Sequence, residues 1–496
     1  MSFSLLLRTC SICLMVFLTI PASAQDIISR LDFGKKDPQP EFFEYSPLDK
    51  GLITLGPTNR RTTRFYSLTK YDQEFELQWT EQVFEQNGRR HIDFVAVIGP
   101  RILIFISEYF PREKVIKTFY TAYSLEGELE VEKEILSVYP NQKEQKVDLQ
   151  YTLSPNKRKL LCYKNLQSRK GAEKVLYYLF DEYGEYVSNG EITLNYPDNR
   201  YRVRSLRVSN EGNVFMLGKF FVNTRINSAD DFKYMIHRYD VVEESMQEIQ
   251  IELGDRFITD LAFRLDRTEN IYIAGFYSNR GTDQIAGTVL QKISRSGELM
   301  LDATDPFSEA FLRQYLTNNQ INKGKELRNF FLDPEQGIVL RSDGGVLLIA
   351  ENFFVTVQSY RDMYGAWIDR ELYHYEDVIL TSVASDGTIE WHGIVDKSQQ
   401  SESQANLSYF SAIGPAGIFI FYEYQPRREN FDIYYNKISV TGSVEDRKPL
   451  LSDYRYGNEF YPRFCEQINN REALMVYVQN RGKMFSVVKV RLDSSD

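Results

Sequence analysis

Lys159-Leu160-Leu161-Cys162, then Val175-Leu176-Tyr177-Tyr178-Leu179-Phe180, then Glu182-Tyr183-Gly184-Glu185 is the stretch that decides the fold. It joins a near-continuous apolar run, an aromatic run and a turn built on glycine. A short apolar run bounded by turn residues reads as a strand covered on both faces. The aromatic run suits a pleated, half-buried surface. The same unit returns along the chain. Its apolar strand recurs at Gly51-Leu52-Ile53-Thr54-Leu55, Ile102 to Ile106, Val214 to Leu217, Ile271 to Ala274, Val346 to Ile349, Ile418 to Phe421 and Leu474 to Tyr477. Its turn recurs at Glu126-Gly127, Ser296-Gly297, Asp386-Gly387 and Thr441-Gly442.

Each unit also carries a preceding strand, such as His91 to Ile98, and a polar strand after the turn, such as Thr388 to Ile394. Polar residues on an outer strand discourage edge-to-edge pairing. Four antiparallel strands graded from apolar to polar are the plan of a β-propeller blade. The expectation is an all-β single domain over residues 25–496, with about eight four-stranded blades and seven as the alternative. The last unit ends near Leu492 without a fourth strand, and Asp26 to Phe33 is unassigned. These two loose ends predict a ring closed by the N-terminal strand, with Ile27, Ile28 and Leu31 beside Phe485 to Val490. The small residues Ser107, Gly218, Gly275 and Ala350 after the apolar strands read as points of close approach between neighbouring sheets.

Residues 1–24 read as a cleaved signal peptide. Arg8 precedes the apolar run Cys10 to Ile20, and Pro21-Ala22-Ser23-Ala24 offers a small-x-small cleavage site. This predicts export, to the periplasm, outer membrane or exterior of a Gram-negative bacterium, with no transmembrane segment in the mature chain. Cys10 and Cys13 leave with the signal, and Cys162 and Cys465 are expected as free thiols. The net charge of −10 becomes −11 once Arg8 is removed. That balance argues against nucleic acid as a partner.

Two insertions interrupt the repeat between Ser296 and Asp386. Asp305-Pro306 and the apolar spacing of Phe311, Leu312, Tyr315 and Leu316 predict a helical insertion near 305–322, capped by Asp305 with Pro306 at its first position. Val355 to Tyr375 is a second insertion, rich in Tyr, Arg and Asp. Gly344-Gly345-Val346-Leu347-Leu348-Ile349-Ala350-Glu351, the Tyr-rich loop, Tyr375-Glu376-Asp377-Val378-Ile379-Leu380 and Ser385-Asp386-Gly387-Thr388-Ile389-Glu390-Trp391 resemble a family of secreted bacterial propeller-like proteins of unknown function. The resemblance spans Val339 to Lys397 and implies an exported β protein. It brings no catalytic residue.

No nucleophile elbow, phosphate loop or metal-ligand spacing appears, and no cofactor or metal is expected. The candidate ligand-binding residues are acids and aromatics at the ends of apolar strands: Glu108 with Tyr109, Glu351, and Glu423 with Tyr424. His374 in the insertion, Trp391 and His392 complete the set. Carboxylates beside aromatics suit a sugar, and a facing pair suits glycosidic chemistry. Trp391 reads as an indole packed on its own local turn. The leading expectation is a non-enzymatic binding or scaffold protein contacting a protein or glycan. The alternative is a carbohydrate-active enzyme on a propeller, and a third reading is calcium held at turns such as Asp266 and Asp333.

Overall fold

The computed structural model describes residues 27–492 apart from 35–39, 60–63, 86–88, 141–148, 167–170, 198, 224–230, 253, 282–283, 334–335, 362, 364–366, 425–431, 451–457 and 480–483. The proposed signal peptide lies outside the described residues. The chain is all-β. Among the described residues there are eight antiparallel sheets of four or more strands and one two-stranded ribbon, with two short helices. Numbered along the chain, the sheets span residues 42–85, 90–140, 150–197, 201–251, 257–306, 330–401, 409–449 and 458–491. Each follows the order of the repeat unit, innermost strand first. In sheets six and eight the innermost strand is split into two pieces, Phe330–Leu332 with Ile338–Leu340 and Asn458–Phe460 with Glu466–Asn469.

The sheets form a closed cycle, and the apolar strands are the reason. Alternate side chains on each second strand point to opposite neighbours. Ile102 and Ile104 pack on sheet one, whereas Leu103 and Phe105 pack on sheet three. The same division joins every consecutive pair of sheets in turn. The last core joins Leu474 and Val476 of sheet eight to Tyr45 and Leu52 of sheet one. This is the layout of a β-propeller.

The N-terminal strand Ile27–Phe33 supplies the outer strand of sheet eight. It pairs antiparallel with Met484–Arg491, setting Ile27 opposite Val490, Leu31 opposite Val487 and Phe33 opposite Phe485. The closing strand therefore lies where the two loose ends require it.

The turn glycines adopt positive φ, among them Gly127 at 91°, Gly297 at 88° and Gly387 at 92°. Ladder shifts sit beside these turns, at Lys292/Ile293 and Ser382/Val383 for example. Together these mark hairpins closed by a bulge whose αL position only glycine fills without strain.

Three local expectations are corrected. Asp305 and Pro306 end the strand Leu299–Pro306 rather than starting a helix. Asp305 Oδ2 instead accepts from Ile389 N of sheet six at 2.7 Å. The helices are two single turns, Glu309–Leu312 capped by Ser308 and Asn318–Asn322 capped by Thr317 in a capping box with Gln320. Ala350 packs against sheet five and Ser107 Oγ accepts from Lys164 of sheet three, whereas the two glycines meet their own sheet. A Cβ on Gly275 would lie 2.0 Å from Asp260 O, where the innermost strand bulges between Ile258 and Asp260. A Cβ on Gly218 would meet Tyr201 Oη at 1.7 Å. Third, the second insertion is a continuation of sheet six, a long hairpin of Val346–Arg361 and Trp367–Val383 paired out to Arg361 opposite Trp367.

Candidate functional site

The innermost strands surround a central cavity of about 1170 Å³. Sheets two to eight contribute to its wall, through residues such as Asp93, Tyr151, Arg207, Arg264, Gln336 and Glu466. Glu44, near the end of Phe42–Tyr45 in sheet one, adjoins this wall through Tyr151, one of the lining residues.

Glu44 and Glu466 form an acid pair across the closure between sheets one and eight. Burial within the ring raises the Glu44 carboxyl well above its ordinary range, and repulsion by Glu466 adds to it. Tyr151 donates its hydroxyl to Glu44 Oε1 at 3.1 Å and opposes the rise. Burial also raises Glu466, and Lys157 opposes it, with Nζ 3.9 Å from Oε1. The Glu466 side chain is 46% exposed, so water in the cavity softens its burial. Tyr151 is held rigidly because its ring stacks on Phe94 at 4.4 Å, which in turn stacks on Phe105 at 4.5 Å. Lys157 acts on both carboxyls, and Glu44 alone of the two is hydrogen-bonded to the Tyr151 phenol. Unlike environments for two carboxyls are what acid–base division of labour needs.

The residues singled out from sequence do not converge on this cavity. Glu108 lies in sheet two, with Arg90 Nη2 at 3.2 Å and Lys133 Nζ at 3.3 Å. Although burial opposes it, these cations hold its carboxyl below the usual range. Tyr109 donates its backbone N–H to Arg89 O. Glu351 and Glu423 lie in neighbouring sheets six and seven and are both buried. Glu351 pairs with Lys397 at 2.6 Å and accepts from Ser408 Oγ at 2.6 Å. Lys397 also donates to Gln399 Oε1, and Gln399 Nε2 donates to the Glu423 carbonyl. Tyr424 lies under the Arg447 guanidinium, 3.7 Å from the ring centre.

Buried acids recur as links between consecutive sheets. Asp260 Oδ2 accepts from Leu332 N at 2.8 Å, and Glu423 Oε2 accepts from Phe460 N at 3.0 Å. Each grips the incoming innermost strand of the next sheet, as Glu351 does through Ser408. Burial pushes Asp260 up to about 6 and Glu423 up to about 8.

His374 sits on the hairpin, stacked on Phe354 at 4.5 Å, with Nε2 2.8 Å from Thr356 Oγ1. His392 stacks on Phe311 of the short helix at 4.0 Å, and burial pushes its pKa down to about 4. Trp391 packs on the turn of sheet seven rather than on its own: a Cβ at Gly442 would lie 2.6 Å from the indole. Trp79 meets Gly127 of sheet two in the same way. Asp266 folds onto its own turn, accepting from Thr268 N and Asn270 N at 2.8 and 2.9 Å. Among the described residues, no three His, Cys, Asp or Glu side chains cluster as metal ligands, and no helix is long and apolar enough to cross a membrane.

Sequence reasoning searched the ends of the second strands and missed Glu44 and Glu466. Their signal was a glutamate within the innermost strand, at Phe42-Phe43-Glu44-Tyr45 and Cys465-Glu466-Gln467.

No family model matches the chain. No curated protein sequence matches it significantly. Several solved structures are similar to it at low identity. A polysaccharide lyase is 9% identical with a TM-score of 0.37, covering 94% of this chain and 100% of its own. The β-propeller domain of the Trilobed protease from Pyrococcus furiosus is 8% identical with a TM-score of 0.36, covering 83% and 97%. An α-L-arabinanase of Penicillium chrysogenum is 10% identical with a TM-score of 0.29, covering 75% and 98%. Identities this low attach no activity to the chain.

Proposed function

We propose that the chain is a carbohydrate-active protein whose central cavity cleaves a glycan, with Glu44 and Glu466 as the working acids. The observation that carries this reading is the acid pair itself, with Glu466 on the wall of a cavity of about 1170 Å³ and Glu44 bound to Tyr151, which lines the same wall. Glu44, whose carboxyl is pushed up by burial and by its neighbour, is assigned the general acid, donating its proton to the glycosidic oxygen as the bond to the sugar breaks. Glu466, beside Lys157, is assigned the role of stabilising the oxocarbenium-like centre, either directly or by activating water. Tyr151 positions Glu44 through its hydroxyl.

A panel of polysaccharides assayed for released reducing ends tests the reading. Glu44→Gln and Glu466→Gln are each expected to abolish release while the protein stays folded and melts no earlier than wild type. Release that survives Glu44→Gln refutes the assignment.

A scaffold role is the second reading. It is supported by the hairpin of sheet six, which exposes Val357, Tyr360, Met363 and Trp367 to solvent. Exposed aromatics on a projecting ribbon suit contact with another protein. Under this reading, shortening the hairpin removes a co-purifying partner and leaves glycan cleavage untouched. Export is part of the proposal, and the mature protein is expected to begin at Gln25 on N-terminal sequencing.

A further inference from the structure

We infer that the pocket around the Tyr409 hydroxyl is a second binding site, one that takes a single neutral sugar ring. The inference stands on this pocket's own chemistry and does not need the acid pair.

The pocket has a volume of about 220 Å³ and lies where residues of sheets six, seven and eight meet. Pockets for drug-sized ligands run roughly 300–1,000 Å³, so this one suits one ring rather than a chain. Gln336 lines both this pocket and the central cavity, so the two adjoin. Tyr409 and Glu351 are buried and form its base, whereas Phe331 and Arg463 are exposed and form its rim.

Tyr409 carries the argument. Its hydroxyl oxygen is buried and has no hydrogen-bond partner among the described residues. Leaving a buried polar group unpaired destabilises a fold, and a phenylalanine would fill the same place without that cost. The hydroxyls of Tyr201, Tyr435 and Tyr477 are also buried without a partner, but those residues line neither this pocket nor the central cavity. At Tyr409 the unmade bond faces a space that a ligand can fill.

The surroundings set the ligand's chemistry. Burial first, and then the Asp333 and Glu351 carboxyls, push the Tyr409 phenol well above its ordinary range. An anion beside that hydroxyl would meet the same repulsion. A cation would compete with Lys397, whose Nζ is already 2.6 Å from Glu351 Oε1. With Arg463 at the rim, Asp333 and Glu351 are matched by two cations, and the pocket has no net charge. A sugar hydroxyl suits such a place, because it accepts from Tyr409 Oη and donates in turn. Gln336 Oε1 is occupied by Ser411 N and Oγ, at 3.3 and 3.0 Å, so its amide N–H groups are what it offers a ligand. Phe353 and Tyr375, with ring centres 4.8 Å apart, add apolar faces. Aromatic faces beside a few convergent polar groups match a sugar ring, which has an apolar face and a hydroxylated edge.

The test is saturation-transfer NMR of the full chain with glucose, galactose, mannose, xylose and arabinose, and with glucuronate as the anionic comparator. At least one neutral sugar is expected to bind, more tightly than glucuronate, and calcium chloride should not displace it. Tyr409→Phe should weaken that binding roughly three- to tenfold, the worth of one hydrogen bond, and should melt no earlier than wild type. Phe353→Ala, at a partly exposed position and checked by melting curve, should weaken it as well. Tyr360→Phe on the hairpin should leave it unchanged. Absence of binding by every neutral sugar overturns the inference, as does binding unmoved by Tyr409→Phe, tighter binding of glucuronate, or displacement by calcium. These outcomes separate from the cleavage reading, because Glu44→Gln should keep the Tyr409-dependent binding. Glycan cleavage that needs Glu44, without sugar binding that needs Tyr409, sinks only this inference. Tyr409-dependent sugar binding without cleavage sinks only the assignment of catalysis.

Discussion

Replacing Phe33 with alanine tests how the ring is closed. The closing strand Ile27–Phe33 is unevenly anchored. Ile27 and Ile28 are 36% and 39% exposed, whereas Phe33 is 5% exposed. Phe33 packs in the core shared by sheets eight and one, with Leu52, Val476 and Val487, and meets the Tyr71 ring edge-on at 6.2 Å. Losing a fully buried phenylalanine costs about 3–5 kcal/mol, from the lost transfer energy and the cavity left behind. Ile27→Ala or Ile28→Ala removes surface that is already partly wet and costs about 1 kcal/mol or less. Urea unfolding followed by tryptophan fluorescence gives the three values side by side. Phe33→Ala should lower the midpoint far more than either isoleucine variant. Deleting residues 25–36 should go further and expose the edge of Met484–Arg491, with aggregation as the outcome. If Phe33→Ala unfolds no earlier than Ile28→Ala, the closing strand is not held by this core and the argument fails.

Glu423→Gln should stabilise the fold in a pH-dependent way. The native carboxyl holds its proton up to about 8, whereas the unfolded chain releases it near 4.5, so wild-type stability falls as pH rises through that window. Glutamine keeps the acceptor for Phe460 N, and the gain should be absent at pH 4 and reach about 3 kcal/mol at pH 7 in denaturant titrations; an equal effect at both pH values contradicts this. Lys397→Met leaves Glu351 buried without its partner and should cost about 3–5 kcal/mol, while Lys397→Met with Glu351→Met recovers most of the loss. Additive losses in that double-mutant cycle would show that the two groups do not interact. Gly275→Ala should impair folding, because its Cβ would meet Asp260 O at 2.0 Å. Gly254→Ala, with open space around it and φ of 61°, should cost only about 1 kcal/mol; matching expression and melting curves for the two would refute the packing argument.

The fold was written locally, which is why it could be read. Ile102 to Ile106 and its counterparts are buried on both faces and so are apolar throughout, and the αL position of each hairpin asks for a glycine such as Gly127 or Gly387. Closure could be read because one strand was spare and one sheet lacked its last. The cavity chemistry was not local. Glu44 and Glu466 lie at opposite ends of the chain and meet only when sheet eight closes on sheet one. The acids that did stand out, Glu351 and Glu423, are buried links between sheets, a role that strand-end position alone does not separate from ligand contact. Asp305-Pro306 has the composition of a helix start, yet pairing with Gly287 and Thr288 keeps those residues in the strand.

The measurement that bears most directly on the acid pair is a carboxyl titration of ¹³C-glutamate-labelled protein, assigned with Glu44→Gln and Glu466→Gln. The account predicts that Glu44 releases its proton well above the ordinary carboxylate range and above Glu466, and that Glu466→Gln lowers the Glu44 value by removing the neighbouring charge. A Glu44 carboxyl that titrates in the ordinary range, unmoved by Glu466→Gln, would contradict the account.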